Sequence, residues 1–295
     1  MLHTPRKVKC LTPEAYKTIT ENLSDAKTYA SVVGACIYIS ITCRLDITQT
    51  VGRVSRAMHN PTPEHIDQLI TLLQYLNSTQ NYKLTYKKTN QPVFEQITDY
   101  AKSDPDMQHL IVSNYDPTKP ITGNDIYGLT DADYANMRED TLKSTSGFCF
   151  YFRHNLVCWK SKLQPILATS THEAELIAMH LTSQEAIWLR NFIAEVRSAM
   201  TGETLTDLID HTTDDGKHYS ALIPTQIFCD NLGAVHTATN PTSGKRSKHI
   251  DVRYLKIREY LEQQRISIKH VTERKTSHIC SPSPFRWKPF VTTLI

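Results

Sequence analysis

Two aspartates stand two residues apart in Leu129-Thr130-Asp131-Ala132-Asp133, and another acid, Asp230, directly follows the apolar run Ile227-Phe228-Cys229. On a strand, where side chains alternate, Asp131 and Asp133 point to one face. Glu173 and Glu175 sit at the start of a long helical pattern that opens at Thr171. Acids from the ends of separate strands and a helix converge over one end of a sheet. A hard divalent cation such as Mg²⁺ takes oxygen ligands of this kind, and two such ions held close together stabilise the attacking and leaving oxygens of a phosphodiester displacement. The same acids read equally well as solvated caps of turns and helices, and spacing alone does not separate the two readings.

The two glutamates are separable on helix geometry. Ser170-Thr171-His172-Glu173 fits a capping box, in which the N-cap hydroxyl and the glutamate three residues on satisfy each other's backbone donors. That gives Glu173 a structural task. Glu175 lies about 200° further around the helix and is the freer candidate for a metal.

The elements that must position these acids fall into two groups. Residues 12–87 read as mainly helical: Val33, Ile37 and Ile41 repeat at a spacing of four with Ala30 a turn before them. Thr62 can cap and Pro63 can open a second helix, whose stripe is Ile66, Leu69, Leu72, Leu73 and Leu76. Tyr82-Lys83-Leu84-Thr85-Tyr86 alternates like a short strand. Residues 88–124 are polar, carry Pro92, Pro105, Pro117 and Pro120, and read as a linker or insertion. From 125 to 274 the pattern predicts strands over 126–135, 146–154 and 155–160, and a helix over 171–197. A solvated loop over 198–221 follows, then a strand over 225–229, helices over 231–238 and 247–264 and a strand over 265–271. That order makes an α/β unit with a mixed five-stranded sheet and flanking helices. Residues 275–295 form a divergent tail.

Composition sets bounds. A chain of 295 residues with 40% hydrophobic and 21% charged residues belongs with soluble globular proteins rather than disordered ones. The net charge of +3 permits a nucleic-acid partner without arguing for one. Seven cysteines with no CxxC pair argue against a disulfide framework or a structural zinc site and lead us to expect free thiols. The apolar stretch Tyr29 to Cys43 is too short to span a bilayer, and nothing at the start resembles a secretory signal. The expectation is a soluble intracellular protein, cytoplasmic or alternatively nuclear. His172 and His180 lack a further ligand nearby for zinc, His249 and His270 read as packing or surface residues, and Trp159 and Trp188 as core aromatics.

Lys245, Arg246, Lys248, Arg253, Lys256 and Arg258, with His249, cluster around one helix start and are offset there by Asp251. Lys245, Arg246, Lys248 and Arg253 are candidates to hold phosphates, helped by the backbone donors of a helix N-terminus. The competing reading is a solvated helix face on which Lys256 or Arg258 pairs with Glu259 and Glu262.

Several blocks carry a recognisable pattern in order: 129–135 (with Asp131 and Asp133), Lys143-Ser144-Thr145-Ser146-Gly147, 157–165 (with Trp159 and Gln164) and 170–176 (with Glu175). Glu185-Ala186-Ile187-Trp188-Leu189-Arg190, Cys229-Asp230-Asn231 and 247–254 (with Lys248 and Arg253) complete it. They resemble the ribonuclease H domain of copia-type LTR retrotransposon polyproteins. Tyr29-Ala30-Ser31-Val32-Val33-Gly34, Arg44-Leu45-Asp46-Ile47, Val54-Ser55-Arg56 and Pro63-Glu64-His65 are similar to the segment that follows the polymerase active site in the same polyproteins. The polymerase's paired-aspartate motif, aromatic-x-Asp-Asp, is absent from this sequence. Residues 1–87 therefore resemble a helical remnant of the reverse transcriptase C-terminal region, and no polymerase activity is expected of the chain.

The resemblance implies a ribonuclease H-like fold and Mg²⁺-dependent cleavage of the RNA strand of RNA–DNA hybrids, with two ions and Mn²⁺ as an alternative. Partners implied are the hybrid and the polymerase part of the polyprotein, with no membrane. Asp131, Glu175 and Asp230 match three of the family's four metal-binding acids; Asp133 and Glu173 are supporting residues. The fourth acid, an Asp shortly after the last strand, has no counterpart: beyond Glu273 there is no Asp or Glu, and Pro282 and Pro284 stand where a helix is expected. A frameshift is one account of this tail, and Glu273 is a candidate substitute. The alternative to an active enzyme is an inactive relic that acts at most as a nucleic-acid or protein binding module. An integrase core shares the fold but not the ordered blocks.

Overall fold

The computed structural model describes residues 11–86, 126–134, 142–152, 155–202, 204, 211–212, 218–219, 224–240 and 252–271. The helical segment holds α1 (Pro13–Leu23), α2 (Ala26–Thr42), α3 (Thr48–Val54) and α4 (Pro63–Ser78), with single 3₁₀ turns at Leu45–Ile47 and Ser55–Ala57. Its starts follow local chemistry. Thr12 caps α1 ahead of Pro13, and Asp25 caps α2. Thr62 and His65 close a capping box on α4 with Pro63 in its first turn, where its missing N–H costs nothing. The stripe expected on α4 is inward: Ile66, Leu69 and Leu72 are buried, and Leu73 and Leu76 pack against them.

Two expectations in this segment are corrected. The buried face of α2 is Tyr29, Val33, Cys36 and Ser40, whereas Ile41 is 63% exposed. A strict spacing of four drifts about 40° per step around a helix of 3.6 residues per turn. The alternation of four and three keeps one face, and in a helix apolar on most sides the sequence does not say which face wins. Residues 82–86 form no strand; Leu84 instead packs against the sheet described next.

The sheet contains β1 (Ile126–Asp133), β2 (Thr145–Phe152), β3 (Asn155–Leu163), β6 (Thr225–Cys229) and β7 (Ile266–His270), and a separate two-residue pair, β4 (His211–Thr212) and β5 (His218–Tyr219), lies within the expected loop. The order is β3-β2-β1-β6-β7, with β1–β2 and β2–β3 antiparallel and β1–β6 and β6–β7 parallel. This is the ribonuclease H-like mixed five-stranded arrangement expected from the sequence. α5 (Thr171–Thr201), α6 (Leu232–Thr239) and α7 (Val252–Glu262) cover one face. There Phe148, Phe150, Met179, Ile227 and Ile257 form a continuous core.

The opposite face carries Tyr127, Leu129, Cys149, Leu156 and Phe228, and Leu45, Leu84 and Trp159 pack on it. The helical segment is thus docked onto the sheet, with α3 against β3. The indole N–H of Trp159 donates to the Ser40 carbonyl at 2.8 Å across the seam. Trp188, expected in the core, is 57% exposed and stacks on exposed Phe192 at 5.6 Å. Helical spacing places it on the outer side of α5, a side that aromatic character alone does not reveal. Cys36, Cys43, Cys158 and Cys229 are free thiols. Cys149 is disulfide-bonded, against the expectation of free thiols; which thiols a fold brings together is not written in their spacing. Among the described residues, no helix is long and apolar enough to cross a membrane.

Candidate active site

The acids are gathered by the parallel pairing at the middle of the sheet. Thr130 on β1 pairs with Cys229 on β6, so Asp131 and Asp230, each the next residue, lie beside one another at the carboxyl ends of adjacent strands. In open α/β sheets this is where ligand sites form. β6 is five buried residues, as a strand covered on both faces requires, and it ends where Asn231 caps α6 by accepting the Ala234 N–H at 2.9 Å. His270, on the next strand, places Nε2 3.1 Å from the Asp230 carbonyl oxygen. A carbonyl only accepts, so Nε2 carries the proton and the ring ties down the backbone of the acid.

Glu175 arrives from the third element. Ser170 caps α5 by accepting the Glu173 N–H at 3.1 Å. The Glu173 carboxylate turns back to accept the Thr169 N–H at 2.7 Å and its hydroxyl at 2.6 Å. The cap therefore closes one residue earlier than a strict capping box, and Glu173 is occupied by it as expected. Glu175 is on the inner side, 4% exposed. Its Oε1 accepts the Ala132 N–H at 3.2 Å and its Oε2 faces the Cys229 thiol at 3.9 Å, so one carboxylate spans the ends of both strands. The ligand atoms of Glu175, Cys229 and Asp230 all lie within 4.8 Å of one another.

The electrostatics follow from that crowding. Burial, and then the negative charges of Asp131 and Asp230, push the Glu175 carboxyl up to about 9. Burial, with Glu175 next, pushes the Cys229 thiol far up, so it is a neutral neighbour and not a thiolate. Burial holds His172 below its ordinary value; its Nε2 lies 3.2 Å from the Thr237 hydroxyl, so it serves the α5–α6 contact rather than the acid cluster.

Asp133 ties the sheet to the helical segment. Its carboxylate accepts the Gln49 side-chain amide at 3.1 Å, joining β1 to α3. Of the basic candidates, Lys245, Arg246 and Lys248 lie outside the described residues, as do the side chain of Arg253 and the whole of Glu273. Further along α7, Lys256 pairs with Glu259 at 2.7 Å, and Arg258 donates to the Thr237 carbonyl at 2.9 Å, satisfying the end of α6. The solvated-face reading therefore holds for Lys256, and Arg258 is a cap. Two residues that the sequence offered only as members of the ordered blocks, with no role, prove to stand at the site. Gln164, buried, donates to the Ser146 hydroxyl and the Ala174 carbonyl, both at 2.9 Å, and so pins the start of α5 to β2. Cys229 was visible only as the residue before an acid.

No family model matches the chain. It is 30% identical over 86% of its length to the retrovirus-related Pol polyprotein from transposon TNT 1-94 of Nicotiana tabacum. It is 28% identical over 85% of its length to that from transposon RE1 of Arabidopsis thaliana. These matches span 15% and 13% of the two polyproteins. The chain is also 32% identical, over 55% of its own length and 90% of the relative's, to the secreted RxLR effector protein 161 of Plasmopara viticola. A solved structure of a foamy viral protease-reverse transcriptase in complex with RNA/DNA hybrid is similar with a TM-score of 0.46 and 12% identity, covering 89% of this chain and 27% of that one. The ordered blocks and the two plant polyproteins agree that the chain belongs to the copia-type retrotransposon Pol polyproteins, as a segment of them.

Proposed function

We propose that the chain is a ribonuclease H that hydrolyses the RNA strand of RNA–DNA hybrids with Mg²⁺, or alternatively Mn²⁺, at Asp131, Glu175 and Asp230. The observation that carries this reading is the buried Glu175 carboxylate, wedged between two strand ends that each present an aspartate. Such a cluster is costly for the fold without a cation, because like charges are gathered where water is scarce. Glu175 and Asp230 stand together with the neutral Cys229 thiol, and Asp131 is near enough for its charge to raise Glu175; the carboxylate oxygens fit a hard divalent ion. Bound ions of this kind supply the positive charge that a phosphodiester displacement needs at its attacking and leaving oxygens. Asp131 and Asp230 hold that charge from the strand ends, and Glu175 holds it from the helix. His270 and Gln164 fix the elements that carry them. Lys245, Arg246, Lys248 and Arg253 are the proposed phosphate contacts, and recognition by duplex shape and 2′-hydroxyls is expected. Residues 125–274 form the nuclease unit, 88–124 the connection, and 1–87 the reverse transcriptase remnant that accompanies it. The polymerase part of the polyprotein is the proposed partner.

The lack of any Asp or Glu after Glu273 favours a second reading, an inactive relic that still binds nucleic acid. Incubation of the full chain with a hybrid labelled on its RNA strand, in Mg²⁺ and beside Asp230→Asn, separates the two. Cleavage by the wild type that the variant loses supports the nuclease. Binding without cleavage by either supports the relic.

A further inference from the structure

A cleft of about 220 Å³ opens where the helical segment meets the sheet. Arg53, Ser55 and Arg56 line it from α3 and the turn that follows, and Thr145, Ser161 and Lys162 line it from β2 and β3. Among the described residues no acid lines it; Gln49 stands at its wall with its amide donating to Asp133. Cations and hydroxyls around a small hollow are the chemistry of a phosphate site, since each supplies a donor to a phosphoryl oxygen. By liquid volume the cleft has room for roughly seven waters, enough for a phosphodiester group.

Its position gives it a role. Asp131 pairs with Gly147, and Gly147 with Ser161. The cleft therefore flanks the acids across two strand spacings, about 10 Å. That is about three base-pair rises along a duplex. We propose that this cleft holds a backbone phosphate of a nucleic-acid duplex laid across the acid cluster. The helical segment is then part of the nucleic-acid interface and not only a cover for the sheet. This inference rests on the nuclease reading for the identity of the duplex, while the cleft's affinity for phosphate is independent of it.

The test is a titration of labelled RNA–DNA hybrid with the full chain in EDTA, where cleavage does not interfere, at several salt concentrations. Wild type, Arg53→Gln with Lys162→Gln, and a control Lys17→Gln on α1 are compared, with thermal melts to show that each is folded. The expected result is roughly ten-fold weaker binding by the double variant and a slope of log affinity against log salt shallower by about 0.9 per lost contact, with the control unchanged. Tripolyphosphate is expected to compete with hybrid on the wild type. Unchanged affinity and slope in the double variant overturn the cleft assignment while leaving the nuclease reading intact. If tripolyphosphate raises the melting temperature of the wild type alone while hybrid affinity is unchanged, the cleft takes free phosphate, which overturns the duplex assignment. If the wild type binds no hybrid, the nuclease reading fails. The cleft then stands on a tripolyphosphate-dependent melting shift lost in the double variant, and falls without it.

Discussion

Glu175 accepts the backbone N–H of Ala132 at 3.2 Å, so the helix that carries this acid is fastened to the strand that carries Asp131 and Asp133. The contact brings a third carboxylate to where Asp131 and Asp230 already stand, and the consequences are measurable.

The first concerns pH in the absence of metal. Glu175 has its carboxyl pushed up to about 9 from an ordinary 4.5, by burial first and then by Asp131 and Asp230. Between those values the folded chain binds a proton that the unfolded chain has released, so stability must fall as pH rises. The full contribution is present below about 4.5 and is lost as pH passes through about 9. In EDTA the melting temperature should drop across that window, and Glu175→Gln should flatten the drop and melt higher than the wild type near pH 8. A wild-type curve parallel to that of the variant would show that the carboxylates are not coupled.

Metal should reverse the penalty. Millimolar Mg²⁺ is expected to raise the melting temperature of the wild type at pH 8, because a ligand that binds only the folded state stabilises it. Asp131→Asn and Asp230→Asn should each lose most of that rise, whereas Glu173→Gln should keep it, since Glu173 is engaged with Thr169. A rise of equal size in all four proteins would move the ion away from this cluster.

Arg44 offers a test far from the acids. It is 7% exposed, pairs with Asp46 at 2.7 Å, and donates to the Thr79 carbonyl and hydroxyl. The Tyr75 hydroxyl donates to the same Asp46 carboxylate at 2.9 Å. Arg44→Met strands a nearly buried aspartate and should cost about 3–5 kcal/mol in urea unfolding. Adding Asp46→Leu should recover much of it, because an apolar pair carries no unpaired charge. No recovery would mean that the arginine acts through packing instead.

The seam between the two halves has its own reporter. Trp159→Phe keeps an aromatic ring against the cluster of Tyr127, Leu129 and Phe228 but removes the donor to the Ser40 carbonyl. A loss of about 1 kcal/mol is expected, since the Thr48 hydroxyl still reaches that carbonyl at 3.4 Å. A variant as stable as the wild type in urea would show that the seam is held by apolar contact alone.

The order of strands and helices in the second half, the capped starts of α4 and α5, and the capping task of Glu173 were legible in the amino-acid sequence. Each is decided within a few residues: alternation marks a strand, a hydroxyl or amide before a helical run marks its cap, and the helical repeat separates two glutamates two positions apart. The residue types offered carboxylates that a hard cation could take, with solvated caps of turns and helices as the equal alternative. Tertiary structure alone decided the rest. Asp131 and Asp230 become neighbours because β1 and β6 pair in parallel, and Cys229 enters the cluster as a consequence. The inward face of α2, the outward Trp188 and the basic cleft at the seam all depend on which surfaces meet. The physical reason is that hydrogen-bonded local structure is written over a turn or two of chain, whereas burial and electrostatic coupling are properties of whatever the fold packs alongside.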